Sequence, residues 1–191
     1  MKLIYFHGFG SSAQSGTIRT LRAMLPDFEV IAPDIPVDPT DALPFLKRLC
    51  KDEQPDVIIG TSMGGMYAQQ MFGFNRICVN PAFEMSAKSK VLKLGTFEYF
   101  KPRMDGETHF KITPDIIKHY ADMESRQFDG VTEEEKSKVW GLFGSDDRLV
   151  NGESLFRQYY SNVLHFNGEH RMSDEVITNV LIPLIHTIIN K

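Results

Sequence analysis

The sequence predicts an α/β protein in three layers: a short, mostly parallel sheet of about six strands, helices on both faces, and a helical cap inserted between the fourth and fifth legible strands. Three observations carry this reading. From Lys2 to Asn80, short apolar runs alternate with stretches whose apolar residues recur at helical spacing. Such alternation implies parallel strands joined by crossover helices. The rhythm stops at Pro81 and resumes at Val139, and a structureless loop of that length is unlikely inside a compact domain. A cap spanning 82–138, within a single domain covering 1–191, is the simpler account. A chain of 191 residues is long enough to bury one sizeable core.

The elements follow in order. Residues 2–6 form an apolar strand ending at His7-Gly8-Phe9-Gly10. Thr17 to Leu25 reads as helix, with Ile18, Leu21 and Leu25 on one face and Pro26 beyond its end. Residues 28–32 make the second strand, and Asp41 to Asp52 a helix with Leu43, Leu46, Leu49 and Cys50 as its apolar set. Asp56 to Gly60 is the third strand, Met63 to Phe72 a helix, and Arg76 to Asn80 the fourth strand. Within the cap, Pro114 to Met123 is a helix capped by Thr113, and Val131 to Lys138 a second one capped by Thr132. Val139 to Gly144 is the fifth legible strand, Ser154 to Tyr160 a helix, and Asn162 to Phe166 the sixth. A final helix runs from about Ser173 to Ile189. Pro183 inside it lacks the donor for residue 179, which predicts a kink.

Composition narrows the function classes. The formal charge of −4 provides no footprint for nucleic acid or an anionic membrane. No apolar run approaches the roughly 18 residues of a membrane span. The apolar run at the start is too short for a signal peptide, so a cytoplasmic location is expected. Cys50 and Cys78 are too few for a disulfide framework, and free thiols are expected.

The chemistry centres on Gly60-Thr61-Ser62-Met63-Gly64, placed between a strand and a helix. A serine on so sharp a turn needs glycines two positions to either side, which let the backbone pass close and leave the hydroxyl clear. A neutral serine is a poor nucleophile: it needs a base, and the base needs a carboxylate to fix its tautomer. Candidates stand in Gly144-Ser145-Asp146-Asp147 and in Gly168-Glu169-His170, each just past a strand C-terminus. In an open parallel sheet those ends share one edge. The order Ser62, Asp147, His170 is that of α/β-hydrolases.

These motifs, with Tyr5-Phe6-His7-Gly8-Phe9-Gly10-Ser11-Ser12 and Val79-Asn80-Pro81-Ala82, resemble the α/β-hydrolase superfamily and, more narrowly, the small bacterial YqiA-like esterases. The resemblance is weakest across 82–138. It implies a serine esterase or thioesterase acting through an acyl-serine intermediate, with no metal or organic cofactor and a small-molecule acyl ester or thioester as substrate. Ser62 is then the nucleophile and His170 the general base and acid. The family spacing Gly-x-x-Asp-x-x-Val falls on Gly144, Asp147 and Val150, favouring Asp147 as the orienting acid with Asp146 as its rival. The oxyanion hole would be the backbone N–H groups of Phe9 and Met63. The chain begins at the strand carrying the oxyanion loop, so a sheet shorter than in larger relatives is expected.

Other residues have plainer readings. His7 is expected to shape the oxyanion loop, Asp34 to serve a turn, and His109, His119, His165 and His186 show no metal-ligand spacing. Phe97, Tyr99, Phe100 and Phe110 in the cap are candidates for lining an apolar acyl or aryl pocket. Three alternatives stay open on sequence grounds: an acyltransferase using the same triad, a ligand-binding relative with negligible turnover, and an interaction protein docking a partner through its cap. The sequence does not specify an oligomeric state.

Overall fold

The computed structural model describes residues 1–87 and 92–190. Among the described residues there are eight strands: β1 (Lys2–Phe6), β2 (Glu29–Ile31), β3 (Val57–Thr61), β4 (Arg76–Val79), β5 (Gly95–Glu98), β6 (His109–Ile112), β7 (Val139–Gly144) and β8 (Asn162–Phe166). Six of them form one sheet in the order β2-β1-β3-β4-β7-β8, with every pairing parallel. The mostly parallel, short sheet expected from the alternation is therefore found. Strand order reverses beside β1, so the loops after β1 and β3 leave the sheet at a topological switch point, where open α/β sheets bind ligands.

Why the strands read as continuous apolar runs is clear from the layers. Leu3 and Tyr5 face one side of the sheet, Ile4 and Phe6 the other, as the two-residue period of a strand requires. Helix α1 (Gly16–Met24) and the C-terminal helix cover the first face; α2 (Pro39–Glu53) and α3 (Met63–Ala68) cover the second. In the inner strands, with both faces buried, no alternation of polar residues survives, whereas the edge strands β2 and β8 keep exposed residues.

The inserted segment carries helices α4 (Pro114–Glu124) and α5 (Glu133–Ser137), where they were expected. Thr113 and Thr132 cap them through their side chains. It also carries something the sequence did not reveal: an antiparallel ribbon of β5 and β6. Only Phe110 and Ile112 of β6 turn inward, and β5 is largely exposed. Two four-residue strands with so few buried residues leave too weak a period to read.

Two further details differ from the sequence reading. Helix α3 stops at Ala68, because Gln70 and Met71 tighten into i−3 turns that bury the Gln69 and Gln70 side chains. After α6 (Glu153–Tyr159), the last helix is α7 (Asp174–Val176), a π-helical segment at Ile177–Leu181, then α8 (Ile182–Ile189). Pro183 stands in the first turn of α8, where its missing N–H is least costly. The wide π turn before it takes up the disruption expected as a kink.

Candidate active site

Ser62 lies between β3 and α3 at φ +56° and ψ −118°, a conformation that L-residues rarely adopt. Strain of this kind costs about 1–3 kcal/mol and survives only where surroundings over-determine it. Here they do. The Ser62 N–H donates to Val79 O at 2.9 Å, and the Ser62 carbonyl accepts from Gly65, Met66 and Ala82 N–H at 3.0–3.2 Å. The flanking glycines are obligatory in this packing. A methyl on Gly60 would lie 2.1 Å from Gly64 O, and one on Gly64 would lie 2.1 Å from Phe6 O.

The loop after β1 closes against the serine: a methyl built on Gly8 would stand 3.4 Å from Ser62 Cβ and 3.9 Å from Oγ. His7 holds that loop. Its Nδ1–H donates to Gly8 O at 2.9 Å, and Nε2 accepts from the Ile35 N–H at 3.1 Å. Burial drives its pKa down to about 4, so the ring is neutral and both nitrogens are spent on backbone. Among the described residues, the N–H groups of Phe9 and Met63 have no backbone acceptor, as the first N–H of a helix lacks an intrahelical one.

Past β7 and β8, two loops are zipped together. Ser145 N–H donates to Phe166 O at 3.0 Å and Asp146 N–H to Gly168 O at 2.9 Å. Gly144 is required there, because a side chain would strike the carbonyls of Gly168 and Glu169 at 2.6 Å. This brings Asp147 to His170, with Nδ1 and Oδ2 2.8 Å apart. The other Asp147 oxygen accepts from the N–H groups of Leu149 and Val150 at 2.8 and 3.1 Å. The carboxylate is 5% exposed and the imidazole 15%. Asp146 instead points its exposed carboxylate at the Ser145 hydroxyl, 3.1 Å away. Among the described residues no hydrogen bond joins Ser62 Oγ to the His170 ring. Apo sites often tighten such bonds only with substrate present.

Sequence reasoning assigned no role to Asn80, which follows β4 at φ +42° and is 2% exposed. Its Oδ1 accepts from Gly144 N–H at 2.8 Å. Its Nδ2 donates to the carbonyls of His170 and Glu169 at 3.0 and 3.3 Å. One amide thus ties the acid loop and the histidine loop to the strand beside Ser62. The signal available in sequence was an amide at the end of an otherwise apolar strand, followed directly by Pro81.

Of the four cap aromatics, three pack on one another. Phe110 is buried under Phe9, Phe97 and Tyr99, with ring centroids 4.7–5.7 Å apart. Phe100 stands at the rim, 63% exposed. Asp34 anchors the ribbon's loop by accepting from Ala13 and Met104 N–H, and Arg103 donates to Ile35 O and Asp34 O. The Tyr120 hydroxyl of α4 meets Val37 O and the Met63 sulfur. Grooves of about 400 and 580 Å³ lie along α4, away from the residues above. No group of three or more His, Cys, Asp or Glu among the described residues could hold a metal. No helix of the described residues is long and apolar enough to cross a membrane.

The family model described as "Uncharacterised protein family (UPF0227)" matches residues 2–180. The chain belongs to the UPF0227 family. The resemblance to YqiA-like esterases and to the α/β-hydrolase superfamily is borne out. The fold of this UPF0227 member is similar to that of Est1E from Butyrivibrio proteoclasticus, at 18% identity and TM-score 0.71, covering 100% of this chain and 88% of that one. It is also similar to the esterase domain of a Rhodothermus marinus protein, at 15% identity and TM-score 0.68, with 97% and 86% covered. A thioesterase domain from the curacin biosynthetic pathway matches at 15% identity and TM-score 0.55, with 98% and 90% covered. At these identities the likeness establishes the α/β-hydrolase fold.

Proposed function

We propose that this UPF0227 protein is a serine hydrolase that cleaves carboxylic esters or thioesters through an acyl-serine intermediate. The observation that carries the reading is the part-buried Asp147–His170 hydrogen bond at 2.8 Å, at the sheet edge that presents the strained Ser62. Esterases and thioesterases among the proteins of similar fold support the same reaction class.

In this reading His170 Nε2 takes the Ser62 proton as Oγ attacks the acyl carbon. Asp147 holds Nδ1 protonated, which leaves Nε2 as the acceptor, and stabilises the imidazolium that forms. The tetrahedral oxyanion receives hydrogen bonds from the Phe9 and Met63 N–H groups, worth about 3–4 kcal/mol for each such donor. The imidazolium then protonates the departing alcohol or thiol. Water, deprotonated by the same imidazole, attacks the acyl-serine and releases the acid with Ser62 restored.

A fluorophosphonate probe and short para-nitrophenyl esters test this together. The expected result is stoichiometric labelling with steady turnover, both lost in Ser62→Ala while the circular dichroism is unchanged. Labelling without turnover would instead favour a binding protein, and a folded chain that never labels would remove Ser62 as nucleophile.

A further inference from the structure

The ribbon loop and the histidine loop meet above the sheet edge. The Phe100 N–H donates to Gly10 O at 2.8 Å, and a methyl on Gly10 would lie 3.5 Å from the edge of the Phe100 ring. The Phe100 ring also carries the Arg171 guanidinium, 5.0 Å from its centroid. Gly10 adjoins Phe9 after β1, and Arg171 follows His170 after β8. In the sheet order these two loops flank the ends of β3, β4 and β7. The contact between ring and guanidinium therefore joins the loops after β1 and β8, which stand on either side of the strand that leads to Ser62.

Arg171 is exposed, and no carboxylate of the described residues lies within ion-pair distance of it. Asp146, Asp147 and Glu169 are the acidic residues of the loops after β7 and β8, and none of them forms an ion pair with it; Asp147 is held by His170 instead. Stacking on an aromatic face orients a guanidinium without neutralising it. Its remaining N–H groups keep the planar fork that matches an oxyanion. The imidazole that takes the Ser62 proton returns it to the leaving group, and Arg171 follows His170 directly in the chain, which favours the leaving-group half as the part of the substrate it contacts.

We propose that Arg171, oriented by the exposed Phe100 ring, is a specificity-determining contact for an oxyanion, carboxylate or phosphate, on the alcohol or thiol half of the substrate. The inference rests on the serine-hydrolase reading and narrows it from any ester to one with an anionic leaving group.

Three acetate esters test it: para-nitrophenyl acetate, the same ester with a ring carboxylate, and the same with a ring phosphate. The readout is the ratio of kcat/KM on each anionic ester to that on the neutral one. A ratio of about tenfold or more is expected for at least one anionic ester, falling with added salt. The larger ratio names the group. Arg171→Met should bring the ratio close to one, and Arg171→Lys should retain part of it. A ratio unchanged by Arg171→Met overturns the proposal. A second arm does not depend on turnover: in Ser62→Ala, the free ring-carboxylated nitrophenol should bind more tightly than nitrophenol, and Arg171→Met in that background should abolish the difference. Equal binding in the Ser62→Ala protein overturns the subsite. Absent turnover and labelling would overturn Ser62 as nucleophile, with the binding arm still scoring Arg171.

Discussion

Replacing Asp147 by Asn separates the orienting carboxylate from its neighbour. The side chain has two duties. Oδ1 accepts from the Leu149 and Val150 N–H groups, and Oδ2 receives His170 Nδ1 at 2.8 Å. Asparagine keeps the first duty through its own carbonyl oxygen. Its amide then faces Nδ1 as a donor, so Nδ1 must accept and the ring proton moves to Nε2. A ring protonated at Nε2 cannot take the Ser62 proton. The expected loss in kcat is about 10⁴-fold, equal to about 5 kcal/mol of transition-state stabilisation. Asp146→Asn alters an exposed carboxylate that among the described residues meets the Ser145 hydroxyl, and should change kcat/KM by no more than about twofold, the equivalent of the ~0.5 kcal/mol within which most surface changes fall. The assay is steady-state hydrolysis of para-nitrophenyl acetate by both variants, with thermal melts to establish folding. Retention of a tenth of the activity by Asp147→Asn, or a larger loss from Asp146→Asn, would refute the reasoning.

Other changes probe the supports of the site. Asn80→Ala removes the partner of Gly144 N–H and of two carbonyls, and should cost about 1–3 kcal/mol of stability in urea unfolding. It should also lower kcat more than it raises KM, a split that a merely structural residue would not give. Gly64→Ala drives a methyl to 2.1 Å from Phe6 O, so loss of soluble folded protein, or destabilisation beyond about 3 kcal/mol, is expected on expression and denaturation. The buried His7 ring has its pKa lowered from 6.5 to about 4. The unfolded chain therefore takes up a proton over that window while the folded chain does not, and stability falls as pH drops from 6.5 to 4. The full effect is about 3 kcal/mol. Urea midpoints for wild type and His7→Asn across this range check it, with the shallower pH slope expected in the variant; equal slopes contradict the assignment.

The sequence by itself determined the sheet. A strand buried on both faces must be largely apolar, which marked β1, β3, β4 and β7, and the edge strands β2 and β8 were read from their short apolar runs beside stretches with a helical stripe. The Ser62 turn was legible too, because its geometry excludes any side chain at positions 60 and 64, and only glycine satisfies that. The ribbon of β5 and β6 left no such trace, since its register depends on Phe110 packing under Phe9 rather than on local periodicity. The resemblance favoured Asp147 over Asp146 through its spacing, and the tertiary structure is what shows Asp147 facing His170. Two adjacent carboxylates have the same local chemistry, and the zipped loops after β7 and β8 bring Asp147 to His170. The same holds for Asn80 and Arg171, whose partners lie on other loops.

Physically, short-range rules fix what each stretch of chain must do, because backbone pairing and burial act along it. Which side chains meet is decided by how the loops fold back on one another, and that depends on contacts as far apart in sequence as Asn80 and His170.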